Sequence, residues 1–231
     1  LILKKIWSLS KSLWPINRSI TGQGTLLTLK IIKKLLPIIK IKNVKSGYKA
    51  FDWNVPNEWN IKNGYIITPS GKKICNFKKN NLHVIGYSAP VNKIISYEEL
   101  KKNLYSLPKQ PDAIPYVTSY YKKRWGFCIA EKERKKLKKG NYKVFIDSNF
   151  TKGNLNYGEI LIKGKIKKEI FISTYICHPS MANNEISGPV TTTFLTKWIT
   201  DLKKTKYSYR IIFIPETIGA LVYLSKNLGQ M

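Results

Sequence analysis

The sequence predicts an α/β fold: a sheet flanked by helices, together with a small β-rich module. Three observations support this prediction: an amphipathic helix near the start, a strand–helix–strand unit in the last third, and a middle region of short strands and closely spaced turn residues. We therefore expect residues 1–44 and 131–231 to form the α/β domain and residues 45–130 to form an inserted β-rich module.

The last third of the chain has the pattern of a βαβ unit. Residues 169–177 are typical of a buried strand, residues 178–188 of a polar loop, residues 189–203 of a helix and residues 209–215 of a second buried strand. This order predicts a parallel pair of strands joined by a right-handed crossover. Further strands are expected at residues 142–147 and 159–162.

Helices are predicted on either side of the middle region. Apolar residues recur at helical spacing over residues 25–36, and Pro37 ends that helix. The preceding Gly22-Gln23-Gly24 lacks the rest of a phosphate-binding motif, so we interpret it as a turn that begins the helix. Residues 130–139 are expected to form a charged helix that ends at Gly140, and residues 81–85 a short strand.

The charge balance is strongly basic, with 41 Lys and Arg against 13 Asp and Glu, a net charge of +28. Such an excess attracts nucleic acid, but only four of the basic residues are arginine and the lysines are spread along the whole chain. The abundance of Lys, Ile and Asn is equally consistent with codon bias. A nucleic-acid partner is therefore not favoured.

The cysteines and the apolar segments indicate the compartment. Cys75, Cys128 and Cys177 are odd in number and far apart, so neither a disulfide framework nor a cysteine zinc site is indicated. Each is expected to be a small buried side chain. No uncharged apolar run approaches the ~18 residues that a membrane span needs. We expect a cytoplasmic protein, and the sequence leaves its oligomeric state open.

Candidate chemistry lies where the two strands of the βαβ unit end. His178 follows one strand and Glu216 the other, so both belong at the same edge of the sheet, with Asn183, Asn184 and Glu185 in the loop between them. A histidine and carboxylates at one edge could hold a hydrolytic metal. Spacing alone favours the simpler interpretation, in which His178 and Glu216 are strand-end residues satisfied by backbone partners.

Several longer strings, in order along the chain, resemble one known family. They occupy residues 14–22, 51–59, 81–88, 114–121, 177–185 and 214–219. The sequence is thereby similar to bacterial aminopeptidase-like proteins of unknown function, often labelled as polysaccharide-biosynthesis proteins with an aminopeptidase-like domain. That family resembles zinc aminopeptidases of the M28 type. The resemblance implies a mixed, largely parallel sheet with a β-rich insertion after the first helix. It also implies that this chain is the N-terminal half of a longer protein.

The resemblance implies roles for individual residues. His178 matches the first zinc-binding histidine, and Asn184 falls where the relatives have a metal-bridging aspartate. Glu216 falls on the general-base glutamate, and Thr217 on a glutamate that would bind a second metal. Because an amide and a hydroxyl are weaker ligands than carboxylates, one zinc ion is favoured over two, with Glu185 as a substitute ligand.

The expected function is metal-dependent hydrolysis of an amide bond, with Glu216 as the general base and zinc held partly by His178. The expected substrate is a small peptide or an acylamino sugar, with a link to surface polysaccharide biosynthesis. The alternative is a degenerate, non-catalytic scaffold that binds a peptide or a glycan, which Asn184 and Thr217 would favour. An enzyme needs the metal and Glu216, whereas a binding protein would keep its ligand without them.

Overall fold

The computed structural model describes residues 2–120 and 122–230, so Tyr121, the last residue of the string 114–121, lies outside the described part. The chain divides into two compact units. The first contains residues 1–58 and 151–231, and the second contains residues 59–150. These limits differ from the sequence-based boundaries at 44/45 and 130/131, and the assignment of residues 45–130 as a separate domain stays a prediction.

Six α-helices occupy the described residues: α1 (Ile2–Leu13), α2 (Gln23–Leu35), α3 (Tyr97–Lys102), α4 (Glu131–Arg134), α5 (Ser187–Asp201) and α6 (Ile218–Asn227). The strands are β1 (Lys40–Lys45), β2 (Lys49–Ala50), β3 (Trp53–Asn54), β4 (Glu58–Ile67), β5 (Lys73–Ile74), β6 (Val91–Ser96), β7 (Leu104–Tyr105), β8 (Phe127–Cys128), β9 (Asn141–Thr151), β10 (Asn154–Ile162), β11 (Glu169–Tyr175) and β12 (Ser208–Ile214). None of the described helices combines the length and apolar character that crossing a bilayer requires.

The first unit is built on a four-stranded sheet in the order β1-β10-β12-β11. β11 and β12 are parallel, which confirms the predicted βαβ unit with α5 as its crossover. The pairs β1·β10 and β10·β12 are antiparallel. The mixed α/β fold is thus confirmed, but among the described strands one pairing of three in this sheet is parallel, where a largely parallel sheet was expected.

The core of the first unit lies between this sheet and α2. Leu29 and Ile32 of α2 pack against Ile160, Ile211 and Phe213 of the central strands, and all five side chains are buried. The amphipathic pattern at residues 25–36 therefore predicted the helix and the face that it buries. A second apolar group joins the end of α1 to the start of α5 and contains Leu9, Leu13, Ile16, Ile186 and Val190.

A polar network crosses all four strands of this sheet. Glu159 of β10 accepts hydrogen bonds from Arg210 Nη1 of β12 at 2.9 Å and from the Tyr223 hydroxyl of α6 at 2.7 Å, and it pairs with Lys42 of β1. Arg210 also binds both carboxylate oxygens of Glu169 on β11, at 2.5 and 2.8 Å. Burial opposes ionisation of Glu159, but these hydrogen bonds outweigh it and lower the pKa of Glu159.

The second unit has its own sheet, in the order β5-β4-β9-β6. Its core is formed by the buried residues Ile66, Cys75, Val84, Val91, Ile95, Leu100, Leu104, Phe127, Ile129, Tyr142, Val144 and Ile146. β9 pairs with β6 in this sheet. The strand expected at residues 142–147 therefore exists but belongs to the second unit, although the sequence placed it with the α/β domain.

Three local predictions were wrong, each for a physical reason. Residues 81–85 begin with a 3₁₀ turn rather than a strand, because the Asn80 side chain accepts a hydrogen bond from the Leu82 amide. Helix α4 ends at Arg134, since the four lysines among residues 135–139 repel one another at helical spacing. β11 is apolar but mostly exposed, because among the described strands it pairs with β12 alone and forms the edge of the sheet.

The polar network gives a prediction for stability. We expect Glu159→Gln to lower the free energy of unfolding at pH 7 by about 1–3 kcal/mol, the range for hydrogen bonds to a charged group. Because the pKa of Glu159 is lowered in the folded state, its stabilisation is present above the unfolded-state pKa of about 4.3 and disappears as pH falls through the lower folded-state value. Urea unfolding of both proteins between pH 3 and pH 7 measures this difference.

The matched control is Glu98→Gln, which removes an exposed carboxylate paired with Lys101 and should change stability by less than about 0.5 kcal/mol. A Glu159→Gln difference that stays constant down to pH 3 would contradict the assignment.

Candidate functional site

The two strands of the βαβ unit deliver the candidate side chains to one edge of the sheet. β11 ends at Tyr175 and β12 at Ile214, and the Ile176 amide still donates to the Ile214 carbonyl at 3.2 Å. His178 and Glu216 follow directly. Their side chains meet, with His178 Nε2 at 2.6 Å from Glu216 Oε2. The juxtaposition expected from the topology is therefore present.

Four side chains form what we call the strand-end cluster: Cys177, His178, Glu185 and Glu216. One ligand atom from each lies within 4.8 Å of the corresponding atom of every other member. Cys177 and Glu185 are buried, His178 is 8% exposed and the Glu216 side chain is 39% exposed. Glu216 thus forms the solvent-facing side of the cluster, and Glu185 forms its floor.

Glu185 is held in a turn that the sequence did not predict. Residues Ala182–Ile186 form a single π-helical turn that leads into α5. The backbone amides of Cys177 and His178 donate to Glu185 Oε2 at 2.8 and 3.0 Å. The turn can approach β11 closely because residue 188 is glycine: a Cβ there would lie 2.6 Å from Thr174 Oγ1. The carboxylate therefore locks the start of α5 to the end of β11.

The other carboxylate oxygen of Glu185 has no hydrogen-bond partner. Among the described residues, two buried side-chain polar atoms lack one, Glu185 Oε1 and Arg18 Nη2. Glu185 Oε1 lies 3.9 Å from His178 Nε2. A buried oxygen without a donor is costly unless a cation satisfies it. The free lone pairs of this oxygen are aimed at the same place as the imidazole nitrogen.

Arg18 brings a positive charge from a distant part of the chain. It is 2% exposed, and its Nε donates to the His178 carbonyl at 3.0 Å while Nη1 donates to the Leu13 carbonyl at 2.7 Å. Burial lowers the pKa of Arg18 to about 10, and the charge of Glu185 opposes that change, so the guanidinium stays charged at neutral pH. The sequence offered a structural pairing for Arg18, and the structure gives it that role beside the cluster.

Burial also governs the pKa of Glu185. It raises the pKa of this carboxyl, while the two amides, His178 and Arg18 act in the opposite direction. Since the compensating groups come from residues 18, 177 and 178, the charge state of Glu185 depends on segments that are far apart in sequence.

Cys177 is a member of the cluster that sequence reasoning missed. Adjacent residues of a strand point to opposite faces, so Cys177 and His178 were expected to be apart. The strand ends before them, and Cys177 Sγ lies 3.7 Å from His178 Nδ1. Sγ also accepts a hydrogen bond from the Glu216 amide at 3.1 Å. Burial, first of all, raises the pKa of this thiol well above its usual range, so it stays protonated and does not act as a nucleophile.

The remaining predicted residues lie at the edge of the cluster. Asn184 is exposed on the π-helical turn, next to the buried Glu185, and its role as a ligand stays a prediction. Thr217 precedes α6 with φ 55° and ψ −83°, a strained conformation for a β-branched residue. His83, expected to be structural, places Nδ1 2.8 Å from the Cys128 carbonyl in the second unit.

Comparison with known proteins places this geometry in a family. The family described as "Domain of unknown function (DUF4910)" matches residues 7–231. A relative from Clostridium acetobutylicum, named for polysaccharide biosynthesis and an aminopeptidase-like domain, is 49% identical over 98% of the chain. The chain spans about half the length of that relative, 52%.

Solved structures agree. A crystal structure from Clostridium acetobutylicum with a provisional peptidase name has a TM-score of 0.94 at 48% identity, with 98% of this chain and 53% of that chain covered. The zinc aminopeptidase BSAP from Bacillus subtilis has a TM-score of 0.60 at 12% identity, over 96% of this chain and 63% of its own. An M28 peptidase precursor from Shewanella amazonensis has a TM-score of 0.61 at 11% identity, over 97% and 66%. The chain belongs to the DUF4910 family and has the fold of M28-type zinc aminopeptidases.

Proposed function

We propose that the protein carrying this chain is a zinc-dependent hydrolase that cleaves an amide bond at the strand-end cluster. The observation that carries this proposal is the unpartnered, buried Glu185 Oε1, 3.9 Å from His178 Nε2. An imidazole nitrogen and carboxylate oxygens are a donor set that zinc accepts. The residues present therefore fit a zinc ion, and His178 and Glu185 would hold it.

This assignment selects Glu185 rather than Asn184 as the acidic ligand. Glu185 is buried and already oriented by two backbone amides, whereas Asn184 is exposed and supplies only a neutral amide. With Thr217 where a further carboxylate would be needed, the set supports one zinc ion. When bound, zinc would polarise the substrate carbonyl and lower the pKa of a water molecule.

Glu216 has the position that a general base needs. It is the most exposed carboxylate of the cluster, and its Oε2 already lies within hydrogen-bond distance of His178. Its backbone is fixed by the hydrogen bond to Cys177 Sγ. In the proposed reaction Glu216 accepts the proton of the attacking water and returns it to the leaving amine. The fold of zinc aminopeptidases supports a peptide substrate, and the name of the C. acetobutylicum relative supports an acylamino sugar in surface polysaccharide biosynthesis as the other substrate to test.

Zinc binding can be tested without measuring catalysis. We expect the chelator-treated protein to bind one equivalent of zinc in a calorimetric titration, and His178→Ala and Glu185→Gln to weaken this binding by at least 100-fold. The matched control is His83→Ala, which removes the other histidine of the chain and should leave the affinity unchanged. Absence of binding to the wild type, or equal binding by His178→Ala, would reject the zinc site.

The role of Glu216 is tested by separating metal binding from turnover. We expect Glu216→Gln to keep its zinc while hydrolysis of an aminoacyl 4-nitroanilide falls by about 10²–10⁴, the usual contribution of a general base. Glu98→Gln should keep full activity. Zinc binding by a wild type that hydrolyses neither anilides nor acylamino sugars would reject the hydrolase and favour the non-catalytic peptide- or glycan-binding scaffold.

Arg18 is expected to position His178 and Glu185 from outside the cluster. Arg18→Met should lower the free energy of unfolding by about 2–4 kcal/mol, since it removes two buried hydrogen bonds and the charge beside Glu185. It should also weaken zinc binding about 10-fold, as loss of an outer-shell partner does. Arg18→Lys, which keeps the charge, should recover part of the zinc affinity. A loss of stability with unchanged zinc affinity would show that Arg18 supports the fold alone.

A further inference from the structure

The second unit contains a cavity that the proposed hydrolysis does not use. Its volume is about 500 Å³, and it lies between the turn after β4, the segment around α4 and the start of β9. This volume falls within the ~300–1,000 Å³ range of small-molecule sites. Every lining residue belongs to residues 59–150, so the site is complete within one compact unit.

The mouth of this lysine-rimmed cavity is strongly basic. Six of its 17 lining residues are lysines, and all six are exposed: Lys72, Lys73, Lys79, Lys136, Lys138 and Lys139. Lysine makes up about one residue in six of the whole chain, so the cavity holds about twice the background share. The enrichment distinguishes this place from the basic surface elsewhere.

A single carboxylate offsets this charge. Glu133 pairs with Lys136 at 2.5 Å, and the pKa of Glu133 is lowered, first by that hydrogen bond and also by the charge of Lys72. The other lysines at the mouth have no acidic lining residue to pair with. Like charges held together raise the energy of the folded state unless an anion neutralises them. The mouth therefore suits a ligand with at least two negative charges.

The floor of the cavity has a different character. Cys75, Ile129 and Tyr142 are buried there, and Ile74 and Leu137 are partly buried. His83 adds one polar group. Its Nδ1 must carry the proton, because the Cys128 carbonyl at 2.8 Å can only accept, and burial lowers the pKa of the ring and keeps it neutral. Nε2 is then an acceptor suited to a ligand hydroxyl.

We propose that the lysine-rimmed cavity binds a small organic phosphate, with two or more charges at the lysines and a ring or sugar body on the apolar floor. No arginine lines the cavity, so the planar fork that matches carboxylates in bidentate pairs is absent there. Lysine acts as a point charge and is a common partner of phosphate. The enclosed volume and apolar floor select a small molecule over a nucleic-acid strand, which binds along an extended groove.

The test compares two probes of similar charge in a calorimetric titration at 150 mM salt without divalent ions. Adenosine diphosphate has a ring body, and inorganic pyrophosphate has none. We expect adenosine diphosphate to bind with a Kd below about 100 μM and pyrophosphate to bind at least 10-fold more weakly. Equal affinities would overturn the role of the floor, and no saturation with adenosine diphosphate at 5 mM would overturn the site.

Matched variants separate the cavity from general charge. Lys79→Ala/Lys139→Ala removes two charges from the mouth and should weaken binding of adenosine diphosphate at least 10-fold. Lys163→Ala/Lys167→Ala removes two exposed charges from the first unit and should change it less than 2-fold. All four side chains are exposed, so both proteins should keep the wild-type Tm. Equal losses in the two variants would show non-specific attraction and overturn the proposal.

Discussion

The first unit depends on how a buried carboxylate is accommodated. Glu185 is fully buried, and removing a carboxylate from water costs several kcal/mol unless other groups compensate. Two amides at the end of β11 and the charge of Arg18 supply that compensation. Each requirement shapes the fold nearby: the π-helical turn turns Glu185 inward, Gly188 permits the close approach, and residues 14–18 must lie against the sheet end. One oxygen is still left without a donor, and this residual cost is what makes the cluster suited to a cation.

The sequence predicted those parts of the fold whose signal is local. The 3.6-residue pattern of α2 and the apolar runs of β11 and β12 identified the elements, and their order identified the parallel pair. What failed depended on partners that lie far away in sequence. Residues 142–147 have the composition of a core strand, but only their pairing with β6 shows which sheet they join. The burial of β11 likewise depends on what pairs with it, and its composition does not contain that information.

The candidate site was predicted to the same extent. Strand ends at one edge of a parallel pair bring His178 and Glu216 together regardless of detail, and the structure shows them in contact. The sequence could not decide which of the neighbours Asn184 and Glu185 faces inward, because a single π-helical turn changes that choice by about one residue. Cys177 was missed because the alternation rule holds only within a strand, and β11 ends two residues earlier. Arg18 is 160 residues from His178, and no pattern in the chain links the two.

The two halves of the strand-end cluster are carried by strands of unequal local stability. β12 is held on both sides, by β10 and β11, whereas among the described strands β11 is held by β12 alone. Alternate amides along Glu169–Tyr175 therefore have no partner within this sheet, and they should exchange with deuterium much faster than those of Ser208–Ile214. Glu216 follows the firmly held strand and His178 follows the edge. Local opening thus begins on the histidine side, and Glu185, which accepts hydrogen bonds from the end of β11 and leads into α5, is the group that limits it.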